Sequence, residues 1–194
     1  MPLEWVVQEG VMTYEPRLNR EKFRELILYV ARKCARDDGF GKTKLNKVLW
    51  WADFQAFARL GASITGAKYM RLPWGPVPTA LLPVLDELVR EGLVDIATRS
   101  TAGSRRQERV TARRAANESQ FSPAELEIVN TVVNALWGKR AVGVSSLSHE
   151  KSIGWRLATD REVIPYETVF VSSRKATAED RRWARDVATQ HGWL

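Results

Sequence analysis

The stretch Lys42–Pro78, KTKLNKVLWWADFQAFARLGASITGAKYMRLPWGPVP, decides how this chain is read. Within it, one apolar set falls on Leu45, Val48, Leu49, Ala52, Ala56 and Leu60, and a second on Trp50, Trp51, Phe54, Phe57 and Ala58. Two stripes at helical spacing leave little polar face, which predicts a helix wrapped by others rather than one lying on a surface. Gly61 marks its end. A short extended linker through Ile64 and Tyr69 then leads to a rigid corner at Trp74-Gly75-Pro76. Gly75 can take a backbone state closed to other residues, while Pro76 and Pro78 fix the chain and lack N–H donors. The residues before those prolines are pushed toward extended conformations.

Upstream, a helix is predicted from about Asn19 to Arg36, with Asn19 as its cap and Phe23, Leu26, Ile27, Val30, Ala31 and Cys34 on one stripe. Residues 1–17 carry alternating apolar positions at Trp5, Val7 and Val11, broken by Gly10, and read as a hairpin edge or a loosely docked arm. Downstream, Thr79–Glu91 reads as a helix with Leu81, Leu85, Leu88 and Val89 on one face, ended by Gly92, with Pro83 tolerable only in the first turn. Two alternating segments around Gly103 then predict a β-hairpin. Ser122-Pro123-Ala124-Glu125 is a capping box opening a helix that stops at Gly138. A shorter helical piece follows near Val144–His149, Val163–Val171 looks extended, and Thr177 opens a final helix containing Trp183 and Val187. The fold class is therefore mainly α: a single compact multi-helix domain with a small, winged-helix-like β-hairpin and a C-terminal helix.

Net charge is +7, but from Arg99 to Arg114 six arginines (99, 105, 106, 109, 113 and 114) face Glu108 alone, so most of that excess sits in one hairpin. A localised basic segment is the footprint of a phosphate backbone or an acidic protein partner, and equally of a solvated loop. Arg99, Arg105, Arg106, Arg109 and Arg113 are the candidate contacts for nucleic acid or an acidic partner. Helix, EGLVDI and basic hairpin in succession read as a winged-helix DNA-binding regulator, which is one hypothesis for function.

Catalytic chemistry finds little footing. With two histidines, His149 and His191, and one cysteine, Cys34, no zinc-type spacing occurs, and no metal or cofactor is expected. Gly41-Lys42-Thr43 mimics the end of a phosphate-binding loop, but the required earlier glycine is Arg36 and a helix, not a strand, precedes it. Ser148 and His149 are sequence neighbours, which rarely lets one activate the other; an Asp53 or Glu150 approach to His149 would more readily be structural. The chain is read as a non-enzyme. Cys34 on an apolar stripe reads as a buried thiol of a reducing compartment, and the N-terminus MPLEWVVQEG shows neither a basic nor an apolar signal region. No apolar run approaches membrane-spanning length.

The pattern K-L-x-K-x-L-x-x-A-D on Lys44, Leu45, Lys47, Leu49, Ala52 and Asp53 is followed by Gly61, Gly66, Tyr69 and Gly75-Pro76-Val77. Farther on come Ser148-His149, Trp155 and Ile164-Pro165-Tyr166. This order and spacing resembles the Panacea domain, the SocA-like, phage-associated antitoxin family, over roughly residues 20–170. The resemblance implies an arm at 1–17, the domain at 18–172 and a helical extension at 173–194. It also implies a bacterial cytoplasmic antitoxin that binds a cognate toxin, encoded next door, by direct contact. On that reading Trp50, Asp53, Tyr69, Trp74 and His149 are the candidate partner-binding residues. DNA binding, as autoregulation, remains the alternative.

Overall fold

A computed structural model of the protein describes residues 5–8, 11–101, 105–171 and 175–190. The fold is mainly α, with helices α1 (Arg20–Lys33), α2 (Lys42–Leu60), α3 (Leu81–Arg90), α4 (Pro123–Leu136), α5 (Ala141–Lys151), α6 (Ile153–Leu157) and α7 (Ala178–Gln190). Three two-stranded antiparallel hairpins interrupt them: β1 (Trp5–Gln8) with β2 (Val11–Tyr14), β3 (Tyr69–Leu72) with β4 (Gly75–Pro78), and β5 (Val94–Thr101) with β6 (Arg105–Ala112). Gly10, Gly103 and His191, each singled out in the sequence, lie outside the described residues.

Helix α2 is the centre, as its two stripes require. It touches α1, α4, α5, β4 and β6 and the 3₁₀ turn Tyr166–Phe170. It buries Leu45, Val48, Leu49, Ala52 and Ala56 from one stripe and Trp50, Phe54 and Phe57 from the other. Each large apolar side chain buried this way contributes roughly 1.5–3 kcal/mol. Leu60, placed on the first stripe by spacing, is exposed on the last turn, where Gly61 takes a left-handed φ of 77° and closes the helix. α1 is capped by Asn19, whose side chain accepts from the Lys22 N–H, and α4 by the Ser122/Glu125 capping box.

Three expectations change. The extended linker and corner after Gly66 is a tight hairpin, with Tyr69 paired to Pro78 and Leu72 to Gly75. β4 survives its prolines because Pro76 and Pro78 sit on a two-stranded sheet with no third strand to demand their missing N–H groups. Val163–Val171 is extended only at its start, where Val163 bridges Met70; Tyr166–Phe170 coils into the 3₁₀ turn so that Tyr166 can stack on Phe54 at 4.4 Å. In α3 the buried face is Leu81, Val84, Leu85 and Leu88, while Val89 is exposed; Pro83 falls in the first turn, where it costs nothing. The N-terminal segment forms the β1–β2 hairpin, and its end is docked: the Tyr14 N–H donates to Glu167 and its ring lies 4.7 Å from that of Phe57.

Candidate functional site: the β3–β4 hairpin and its anchors

The hairpin Tyr69–Pro78 is fixed to α2 by two buried polar groups. Lys47, on α2, reaches under β4 and donates to the Pro76 carbonyl at 3.1 Å while 1% exposed. Burial pulls its pKa down to about 7. Asp53, two turns on, accepts from the Thr65 N–H at 2.9 Å, the Thr65 hydroxyl at 2.5 Å and the Tyr69 hydroxyl at 2.7 Å. Burial raises this carboxyl to about 6, against the opposing pull of those donors. Tyr69, beside the carboxylate and fully buried, is pushed well above the usual phenol range.

The hairpin also packs against α5 and α6. Gly75 takes a φ of 101°, and a Cβ there would meet Ser148 Oγ at 2.5 Å and Lys47 Nζ at 2.9 Å, so only glycine lets the three segments close. Ser148 donates to the Ser145 carbonyl of its own helix at 2.7 Å. Trp155 Nε1 donates to the Leu72 carbonyl at 2.9 Å, and Arg71 returns a bond from Nε to the Trp155 carbonyl at 3.2 Å. His149 stacks flat on Trp155, 3.8 Å between ring centres and 3° off parallel, with the Arg71 guanidinium 4.8 Å from the Trp155 ring. Burial first, then the nearby Lys47 and Arg71 charges, lowers the His149 pKa, so its ring is neutral near pH 7. The Tyr166 hydroxyl ties the far end by donating to the Ala67 carbonyl at 2.7 Å.

At the tip of this braced hairpin stands Trp74, 73% exposed. It is the one aromatic among the five candidate partner contacts that solvent reaches freely. Three others must be corrected. Trp50, Asp53 and Tyr69 are 4%, 0% and 0% exposed. Asp53 and Tyr69 serve the interior and present nothing to a partner, while Trp50 keeps only an edge on a cleft beside α2. His149 is half-buried beneath the tip. Neither Asp53 nor Glu150 pairs with it; Asp53 is committed to Thr65 and Tyr69.

The basic hairpin is corrected more sharply. Arg109 is 7% exposed and points inward, donating to the carbonyls of Ala35 at 2.5 Å, Asp37 at 2.8 Å and Phe40 at 3.4 Å. These carbonyls lie in the turn joining α1 to α2, where the Asp37 carbonyl also accepts from the Phe40 N–H and the Phe40 carbonyl from Gln107 Nε2. A guanidinium with five donors reaches all three, and alternation along a strand could not reveal it. Arg113 pairs with Asp95, and Arg114 with Glu25 at 2.5 Å. Arg99 and Arg106 are exposed; the Arg105 side chain lies outside the described residues. Of the six arginines, Arg109 is thus turned inward and Arg113 and Arg114 are ion-paired, so the hairpin presents fewer free cations than its sequence suggests and the DNA-binding reading is not favoured. Gly41-Lys42-Thr43 begins α2, with Lys42 paired to Glu108, along a cleft of about 700 Å³ that Arg106 and Arg140 also line.

Cys34 is buried and its thiol is pushed up to about 12, chiefly by burial, which leaves it inert as a nucleophile. Among the described residues no His, Cys, Asp and Glu cluster is placed to hold a metal ion, and no helix is long and apolar enough to cross a membrane.

No curated protein and no solved structure matches the chain. The family model described as "Antitoxin SocA-like, Panacea domain" matches residues 45–156. That span begins on α2 and ends just after Trp155, so it contains Lys47, Asp53, the β3–β4 hairpin and its anchors on α5 and α6. The chain belongs to the SocA-like, Panacea-domain antitoxin family.

Proposed function

We propose that this chain neutralises a toxin by direct binding, without catalysis of its own, and that the tip of the β3–β4 hairpin is a principal contact. The observation that carries the reading is Trp74: a large aromatic, 73% exposed, on a hairpin pinned from below by Lys47, Tyr69 and Trp155. A rigid backbone presenting an exposed tryptophan loses little entropy on binding, and tryptophan is enriched among residues that dominate interface energies. The buried polar groups account for the family pattern as scaffold, leaving recognition to what the scaffold displays. Neutralisation then works by covering the toxin's active site or the path to it.

The test is a growth assay. The product of the adjacent gene is expressed alone and then with this chain. Toxicity relieved by co-expression, with the two proteins co-purifying, is the expected result. A harmless neighbour, or toxicity that this chain does not relieve, would refute the reading.

A further inference from the structure

A cleft of about 290 Å³ lies between α2, the α5–α6 junction and the segment leading to Val171. Its floor is aromatic: Trp50 and Phe54 stand 5.7 Å apart and Trp50 and Trp51 5.8 Å apart, centre to centre. Ala58, Ile153 and Val169 extend the apolar wall. Two residues of this lining each hold a buried polar atom without a protein partner. Trp50 Nε1 is a buried donor with no acceptor, on a side chain that is 4% exposed, and Gln55 Oε1 is a buried acceptor with no donor. Buried groups of this kind are normally satisfied, so each one calls for an explanation.

The charge on the cleft has one sign. Arg59 and Lys151 line it, and no carboxylate does. Arg59 has no ion-pair partner among the described residues, and the Lys151 contact with Glu150, at 3.6 Å, joins two exposed side chains. The rim beyond is apolar and open, with Val169, Phe170 and Val171 at 37%, 64% and 47% exposure.

Resting on the antitoxin reading, we infer that this cleft receives an apolar segment of the toxin that carries a carboxylate. The segment's apolar side chain covers Trp51, Phe54 and Ala58. A backbone carbonyl takes the Trp50 N–H, a backbone N–H gives to Gln55, and the carboxylate lies against Arg59 and Lys151. An extended or helix-end peptide offers this set of groups: one free acceptor, one free donor and an acid within a residue or two.

The experiment uses the full chain and the adjacent gene's product, purified, with affinity measured by calorimetry. Ala58→Glu and Arg59→Glu change exposed positions and leave the fold intact by thermal melt. Each is expected to weaken binding roughly tenfold or more, while Arg90→Glu on α3 leaves it unchanged. In the complex, the ¹H–¹⁵N cross-peak of the Trp50 indole shifts as its proton gains an acceptor. Wild-type affinity in both cleft variants, or an unmoved Trp50 cross-peak in a complex that forms, would overturn this inference and leave the antitoxin reading standing. No binding by the wild-type chain would overturn both.

Discussion

Replacing Gly75 by alanine tests the scaffold most severely for the smallest change. The residue sits at a φ of 101°, beyond the region that an L side chain occupies comfortably. Strain of this kind costs on the order of 1–3 kcal/mol. The added Cβ would also lie 2.5 Å from Ser148 Oγ and 2.9 Å from both Lys47 Cε and Nζ, so something must move. Ser148 is 0% and Lys47 1% exposed, and neither has slack. If Lys47 gives way it loses the Pro76 carbonyl, and a buried group without its partner costs a further ~1–3 kcal/mol. The sum is roughly 2–6 kcal/mol, which for a chain of this size lowers Tm by about 4–24 °C. Differential scanning calorimetry reads it. Gly61→Ala is the control: its φ is 77°, but nothing lies within 4 Å of the new Cβ, so only backbone strain remains, about 1 kcal/mol. If Gly75→Ala melted together with Gly61→Ala, the packing of hairpin on Lys47 and Ser148 would be wrong.

The basic hairpin offers a paired comparison: Arg109→Ala should destabilise by about 1–3 kcal/mol, because the Ala35 carbonyl loses its donor while those of Asp37 and Phe40 keep the Phe40 N–H and Gln107, whereas Arg106→Glu should stay within about 0.5 kcal/mol of wild type in urea unfolding. Equal midpoints would mean Arg109 does not hold the turn between α1 and α2. Lys47, depressed to about 7 from 10.5, is neutral in the folded chain and protonated in the unfolded chain across that window, so its contribution to stability rises with pH there. The wild-type chain should therefore gain on Lys47→Met between pH 7 and 9, and a flat difference would place the ammonium in water. Asp53 has the opposite sign: raised from 3.8 to about 6, it holds a proton in the folded chain that the unfolded chain has lost, so its contribution falls across that range. Wild type should lose ground to Asp53→Asn over the same interval, and a parallel pair of pH profiles would contradict its burial.

What could be read from the sequence followed from how local each cause is. Caps and periodicity depend on neighbours within a turn, so Asn19, Gly61 and the Ser122/Glu125 box mark their helices correctly. The double stripe on α2 announced a helix wrapped by others, but it put Trp50 and Trp51 together and did not show that Trp50, named as a contact, is the more buried of the two. What failed was anything decided by a distant partner. Arg109 looks like Arg106 in the strand; only the carbonyls of Ala35, Asp37 and Phe40, some 70 positions away, distinguish them. Asp53 and Tyr69 looked like contacts because their types are polar and their order resembles a family pattern. Their role is instead to satisfy one another in the interior. Val163–Val171 read as extended, but the packing of Tyr166 into the aromatic cluster at Phe54 and Phe57 coils it.

The central claim is that recognition belongs to the displayed tip while the buried pattern only supports it. Trp74→Ala separates the two, because a 73% exposed side chain can be removed with little effect on the fold. The decisive measurement is the affinity of purified Trp74→Ala for the adjacent gene's product, beside wild type, at matched thermal stability. The account predicts a loss of about 2 kcal/mol or more, roughly thirtyfold in Kd, with rescue of growth weakened in step. Wild-type affinity in a variant that melts like wild type would contradict it.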